Sequence, residues 1–211
     1  MSEKPVYIVG AGGAGQSAYK LIEHMGRAAE IAGFLESPEI ITHRSVYGLP
    51  VHSLAEFNPH NHRLLIAVGT SEARYQMVKT LPPEAEYASF IHPDQFILAP
   101  DELQIGEGSL IYPKCQFSRH VTIGKHAFVV ADCILGHDSV VGDFFTSAAR
   151  LNMGGGCQIG NRVYIGMSVS IRDHTRICDL VQIGMGSVVL KDICEPGLYV
   201  GNPAKKIRDL R

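Results

Sequence analysis

The sequence predicts an α/β amino-terminal domain over residues 1–95, followed by an all-β solenoid over 96–211. Three observations carry this expectation. Apolar strand-like runs alternate with helix-like segments in the first half, composition changes near residue 100, and a six-residue repeat runs unbroken from Ile105 to Val189. Fourteen of the 22 glycines and all five cysteines lie after residue 100, so the two halves obey different packing rules.

In chain order, Val6 to Val9 reads as a buried strand, Gln16 to Met25 as a helix and Ile31 to Leu35 as a strand. Leu64 to Val68 follows as a strand and Ser71 to Leu81 as a helix. Such alternation predicts a small parallel sheet with helices on its faces and ligands at the carboxyl ends of the strands. The loop GAGGAG, with Gly10, Gly12, Gly13, Ala14 and Gly15, sits between the first strand and the first helix. Glycines there let backbone amides approach a phosphate at a helix amino terminus. About 90 residues supply little more than one mononucleotide half, so a nucleotide sugar fits better than a dinucleotide. Glu36, after the second strand, is placed to accept a ribose or base hydrogen bond, and Gly69 with Thr70 ends the next strand on the same crevice. The stretch His92 to Glu102, with prolines at 93 and 100, reads as the junction.

Every sixth residue from Ile105 to Val189 is apolar in fourteen of fifteen cases, Ser147 being the exception. Glycine follows at eight of those fifteen positions, and four residues after each apolar position the occupant is small or β-branched in twelve of fourteen. The pattern predicts one hexapeptide per flat face and three faces per coil, with five coils from Ile105 to Cys194. The aliphatic residue fills the interior, the small residue fits beside the corner, and the glycine is expected to give the turn its backbone freedom. Residues 18 apart then stack, so one column reads Arg119, His137, Gly155, Asp173, Lys191. Cys115, Cys133 and Cys157 fall in the small-residue phase and read as small core residues.

A formal charge of −2 gives no electrostatic reason to expect nucleic acid or anionic lipid as partner. Neither a membrane-length apolar run nor a signal-peptide pattern is present, which predicts a cytoplasmic protein. His120, His126, His137 and His174 lie inside the repeat but lack the close spacing of a zinc site, so no metal is expected.

The hexapeptide run, the segment LGHDSVVGDF, the closing GNPAKKI and the GAGGAG loop resemble the sugar acetyltransferases that include sialic acid O-acetyltransferase and the UDP-4-amino-sugar N-acetyltransferases of bacterial glycan synthesis. The resemblance implies a left-handed parallel β-helix, a homotrimer with active sites between subunits, and acetyl-CoA in the intersubunit groove. His137 falls on the catalytic-base position, with Asp138 orienting it, and the Gly155 amide on that of the oxyanion donor. Gly184, Gly186, Lys191, Pro203, Ala204 and Lys205 would border the coenzyme, and Lys205, Lys206 and Arg208 could meet its phosphates. Two positions depart from the pattern: Ala14 stands where a histidine is common in the glycine loop, and Thr146 replaces a second histidine of the repeat. The implied reaction is acetyl transfer to the amino group of a nucleotide-linked 4-amino sugar. A sugar hydroxyl as acceptor and a non-catalytic scaffold stand as alternatives.

Overall fold

The computed structural model describes residues 4–41 and 45–210. Counted over these residues, the amino-terminal unit has β1 (Val6–Val9), α1 (Gly13–His24), β2 (Ile31–Glu36), β3 (Ser45–Val46), β4 (Leu49–Ser53), β5 (Arg63–Ile66) and α2 (Ser71–Thr80). The sheet order is β3-β4-β2-β1-β5, parallel except for the β3–β4 hairpin. Each expected element is present with ends shifted by a few residues. The hairpin is an addition. Its two-residue turn, Tyr47–Gly48, holds both residues at positive φ (52° and 78°), the geometry that matches strand twist but that Tyr seldom supplies. Gly15, Ala18, Tyr19 and Ile22 recur at helical spacing and bury one face of α1 against β1.

The second unit is a parallel β-helix of three flat faces. One sheet runs through Phe90–Ile91, Leu110–Ile111, Phe128–Val129, Thr146–Ser147, Tyr164–Ile165 and Val181–Ile183 before two tail strands. The second face runs from Phe96–Ile97 to Val188–Val189 and the third from Leu103–Ile105 to Arg176–Ile177. Within the repeat, each strand pairs in register with the residue 18 further on, as Phe128 with Thr146 and Ile134 with Asn152. The coil begins at Phe90, two faces before the expected Ile105. Ile97 and Ile105 are eight residues apart because the short 3-10 turn Pro100–Glu102 is inserted there. A strict count of six therefore misses Ile91 and Ile97.

Both inward phases are buried apart from the half-buried Ile105, with Cys115, Cys133 and Cys157 in the small-residue set as expected. The glycine phase works differently from the expectation. Gly106, Gly124, Gly136, Gly142, Gly154, Gly160 and Gly166 do not adopt positive φ; a Cβ on any of them would stand under 3.0 Å from backbone of the next coil. They are needed for close approach. The left-handed backbone falls two residues later, at every sixth residue from Gly108 to Gly186, and most occupants there carry side chains, among them Lys114, Asp138, Arg150 and His174.

The α/β unit packs on the outward side of the first face. Leu110 and Phe128 project from the prism into the cluster formed by Val6, Ile8, Ile22, Phe34 and Leu65. The tail strand Gly197–Val200 continues this face beside Val181–Ile183 and then turns back antiparallel as Lys205–Arg208.

Candidate active site

His137 lies at the corner between the second and third faces, two residues past the inward Leu135. Its side chain is 50% exposed, and Nδ1 is 2.7 Å from Asp138 Oδ2. Asp138 sits at φ 56°, with its amide bonded to Arg119 O of the coil below, so the carboxylate is fixed beside the ring. His120 Nδ1 (3.1 Å) and Arg119 (3.1–3.2 Å) also reach that carboxylate. The hydrogen bond from His137, reinforced by His120 and Arg119, holds Asp138 below the usual carboxylate range. An ionised Asp138 selects the tautomer with the proton on Nδ1 and leaves Nε2 as the basic nitrogen.

Gly155 stands one coil away in the same column. The His137 imidazole lies flat against it: a Cβ at Gly155 would be 2.6 Å from Nε2. The neighbouring Gly156 amide donates to His137 O at 2.7 Å. Beside the ring opens a hollow of about 270 Å³ lined by Phe96, Leu98, Gln116, Ile134 and Gly136. Phe96 and Leu98 are exposed apolar side chains of the coil that the sequence count missed.

The nucleotide-loop residues form a second locus. Gly10 turns the chain at φ 101°, and a Cβ at Gly15 would overlap Gly10 O, so only glycine lets α1 start there. At Gly12 and Gly13 a Cβ would meet nothing within 4 Å, leaving the backbone approachable from outside. Glu36 is buried; Oε1 accepts from the Ala11 amide at 3.3 Å, while Oε2 is buried without a partner. Ala14 lies in the first turn of α1.

Gly69 and Thr70 line a cavity of about 950 Å³ between the two units, opposite Arg162, Tyr164, Leu180 and Gln182. Neither His137 nor the glycine loop borders it. These opposing residues were not singled out from sequence; the outward positions of the first face, stacked 18 apart at Tyr164 and Gln182, are the signal that points to them.

Thr146 is buried rather than open to a ligand: its hydroxyl is 2.9 Å from Ser71 Oγ and accepts from Arg74 at 2.8 Å. A Cβ at Gly184 would press on Val200 of the tail at 2.6 Å, so Gly184 seats the tail hairpin. Gly186 is at φ 69° with open space beside it. Ala204 is tied to Val188 O, while Pro203, Lys205 and Lys191 are exposed. Lys206 is held by Glu195 and Asp209 (3.2 and 2.8 Å), and Arg208 is exposed. Among the described residues, no three His, Cys, Asp or Glu side chains form a metal-sized group, and no helix is long and apolar enough to cross a membrane.

Residues 5–81 match the family model of the PglD N-terminal domain, and residues 156–191 match that of the bacterial transferase hexapeptide (six repeats). Over 112 residues the chain is 31% identical to an acyl-[acyl-carrier-protein]–UDP-N-acetylglucosamine O-acyltransferase of Thiobacillus denitrificans, covering 50% of this chain and 43% of that one. It spans less than half the length of the curated relatives it matches. Among solved structures, the acetyltransferase domain of PglB from Neisseria gonorrhoeae superposes with a TM-score of 0.84 at 24% identity, covering 97% of this chain and 100% of the other. A mutant perosamine N-acetyltransferase from Caulobacter crescentus, in complex with CoA and GDP-perosamine, superposes with a TM-score of 0.86 at 22% identity over 99% of both chains. Both likenesses are of the whole two-unit fold.

Proposed function

We propose that this protein is an acetyltransferase that moves an acetyl group from acetyl-CoA to the amino group of a nucleotide-linked 4-amino sugar, with His137 as general base. The observation that carries the reading is the half-exposed His137–Asp138 pair lying against the bare Gly155 backbone beside an apolar hollow. Acetyl transfer from a thioester needs a base for the attacking amine and a donor for the developing oxyanion. Imidazole at neutral pH and a side-chain-free stretch of backbone supply that combination. The relatives support it, since the perosamine enzyme is described with CoA and a nucleotide-linked amino sugar.

In the mechanism, the acceptor nitrogen attacks the thioester carbonyl as its proton passes to His137 Nε2. The oxyanion is held by the Gly155 amide. Collapse breaks the carbon–sulfur bond, and the imidazolium returns its proton to the CoA sulfur. Asp138 stays ionised throughout, orienting the ring and stabilising its charged form. The glycine loop and Glu36, whose Oε1 accepts from the Ala11 amide, would hold the nucleotide. Coenzyme would run along the residues from Gly184 to Lys205.

His137 and the large interdomain cavity do not meet within one chain. The reading therefore needs a second chain, which the homotrimer implied by the family resemblance would supply, the acceptor half-site of one subunit facing the histidine of its neighbour. Both substrates are cytoplasmic metabolites, so the protein would work in the cytoplasm.

Steady-state assays with acetyl-CoA against UDP- and GDP-linked 4-amino sugars and against sialic acid test the acceptor class. Turnover of sialic acid alone would replace amine by hydroxyl. His137→Ala, with oligomeric state intact, is expected to lose at least ~10²-fold in kcat; a smaller loss removes His137 as the base.

A further inference from the structure

Arg74, in the first turn of α2, is only 1% exposed, yet the acceptors around it are five carbonyls and the Thr146 hydroxyl rather than a carboxylate. Nη1 donates to Val68 O (3.0 Å) and Gly69 O (3.5 Å), in the loop between β5 and α2. Nε donates to His126 O (3.2 Å), and Nη2 to Phe144 O, Phe145 O and Thr146 Oγ1 (3.1, 3.1 and 2.8 Å), on two coils of the prism. The guanidinium carbon lies 5.7 Å from the centre of the Phe128 ring. Burial lowers its pKa to about 10, which leaves it charged at neutral pH.

The hydrogen bonds form a directed chain. Thr146 Oγ1 accepts from Arg74, its proton points to Ser71 Oγ, and Ser71 donates to Val163 O (3.3 Å). Outside this chain, Glu72 pairs with Arg162 at 3.4 Å, and Arg162 lies 4.4 Å from the Tyr75 ring centre. An apolar side chain of similar volume would fill the same space without the desolvation cost of a buried charge. What the planar fork adds is direction: one rigid group holds carbonyls of both units at once.

We propose that Arg74 is a positioning residue that fixes the Gly69–Thr70 wall of the interdomain cavity against the prism and thereby sets the geometry in which the acceptor is held. The inference deepens the acceptor reading above and rests on it for its kinetic arm alone.

The test uses the full chain carrying Arg74→Met, Arg74→Lys or Thr146→Val, the last a milder change that keeps the guanidinium. With GDP- and UDP-linked 4-amino sugars, KM for the acceptor is expected to rise at least ~10-fold in Arg74→Met and by less in the other two, with CoA affinity within about twofold by calorimetry. A merely structural brace would lower the melting temperature and leave acceptor KM unchanged, which overturns the proposal. Should Arg74→Met fail to fold, the Lys and Val variants carry the same comparison. If the wild type turns over neither sugar, the acceptor reading fails, and amide hydrogen exchange decides for Arg74. Faster exchange at residues 67–70 in Arg74→Lys, with β1 and the prism core unchanged, supports the role; equal exchange overturns it.

Discussion

The His137 ring owes its place to two neighbours of opposite kind, a carboxylate that grips one nitrogen and a glycine that leaves room for the other. The room is testable separately from the chemistry. In Gly155→Ala the new Cβ would lie 2.6 Å from Nε2. The half-exposed ring has solvent to swing into, so the coil should tolerate the change while the base loses its alignment. A drop of about 10- to 100-fold in kcat with an unchanged melting temperature is expected; unchanged kcat would show that the ring is not held in its working position by Gly155. The histidine and its acid were legible only through the family resemblance, whereas the facing glycine followed from 18-residue stacking, which converts sequence distance into spatial distance. Thr146 was less legible. Its departure from the family pattern is visible in the sequence, but Ser71 and Arg74 lie more than 70 residues away and no periodicity connects them to it.

Along the coil, each corner divides the backbone work between two positions. The residue after the aliphatic one must lack a side chain wherever the next coil comes within contact, and the residue two further on must accept positive φ. Sequence reading merged the two into a single turn glycine, since both explanations predict glycine. The separation appears only when φ and interatomic space are known. Lys114, exposed at φ 63°, offers a clean test. Left-handed backbone costs an ordinary residue about 1–2 kcal/mol, and a β-branched one more. Lys114→Gly should be neutral or stabilising by up to about 1 kcal/mol, and Lys114→Val destabilising by at least about 1 kcal/mol, by urea unfolding. Equal stabilities would mean that this corner has relaxed out of the left-handed region. The first two faces were hidden for a different reason: the insertion before Leu103 shifts the count by two while leaving the pairing of Ile97 with Phe117 intact.

At the scale of the molecule, the two units meet on aromatic and titratable side chains that make their union sensitive to acid. His126 is buried between Tyr87 of the first unit and Phe144 of the second, with ring centres 4.5 and 4.9 Å away, and Nδ1 has no partner. Burial is the main reason its pKa falls from 6.5 to about 4; Arg74 and Lys125 push the same way, while Glu107 and Asp143 oppose them. The unfolded chain binds the proton more readily, so the contribution is complete above pH 6.5 and disappears as pH falls towards 4. It amounts to about 3 kcal/mol. Unfolding free energies between pH 7 and 4 should therefore fall more steeply for the wild type than for His126→Asn, whose side chain tolerates positive φ; parallel curves would refute the assignment. The tail hairpin has a different consequence. A stack of parallel rungs ends in unsatisfied main-chain groups that invite another molecule to continue the ladder. Here Gly197–Val200 extends the first face and is followed by an antiparallel, exposed strand, Lys205–Arg208, which reverses strand direction at that end of the sheet. On this face a parallel rung from another molecule would meet an antiparallel edge instead of a matching one, which disfavours end-on growth there.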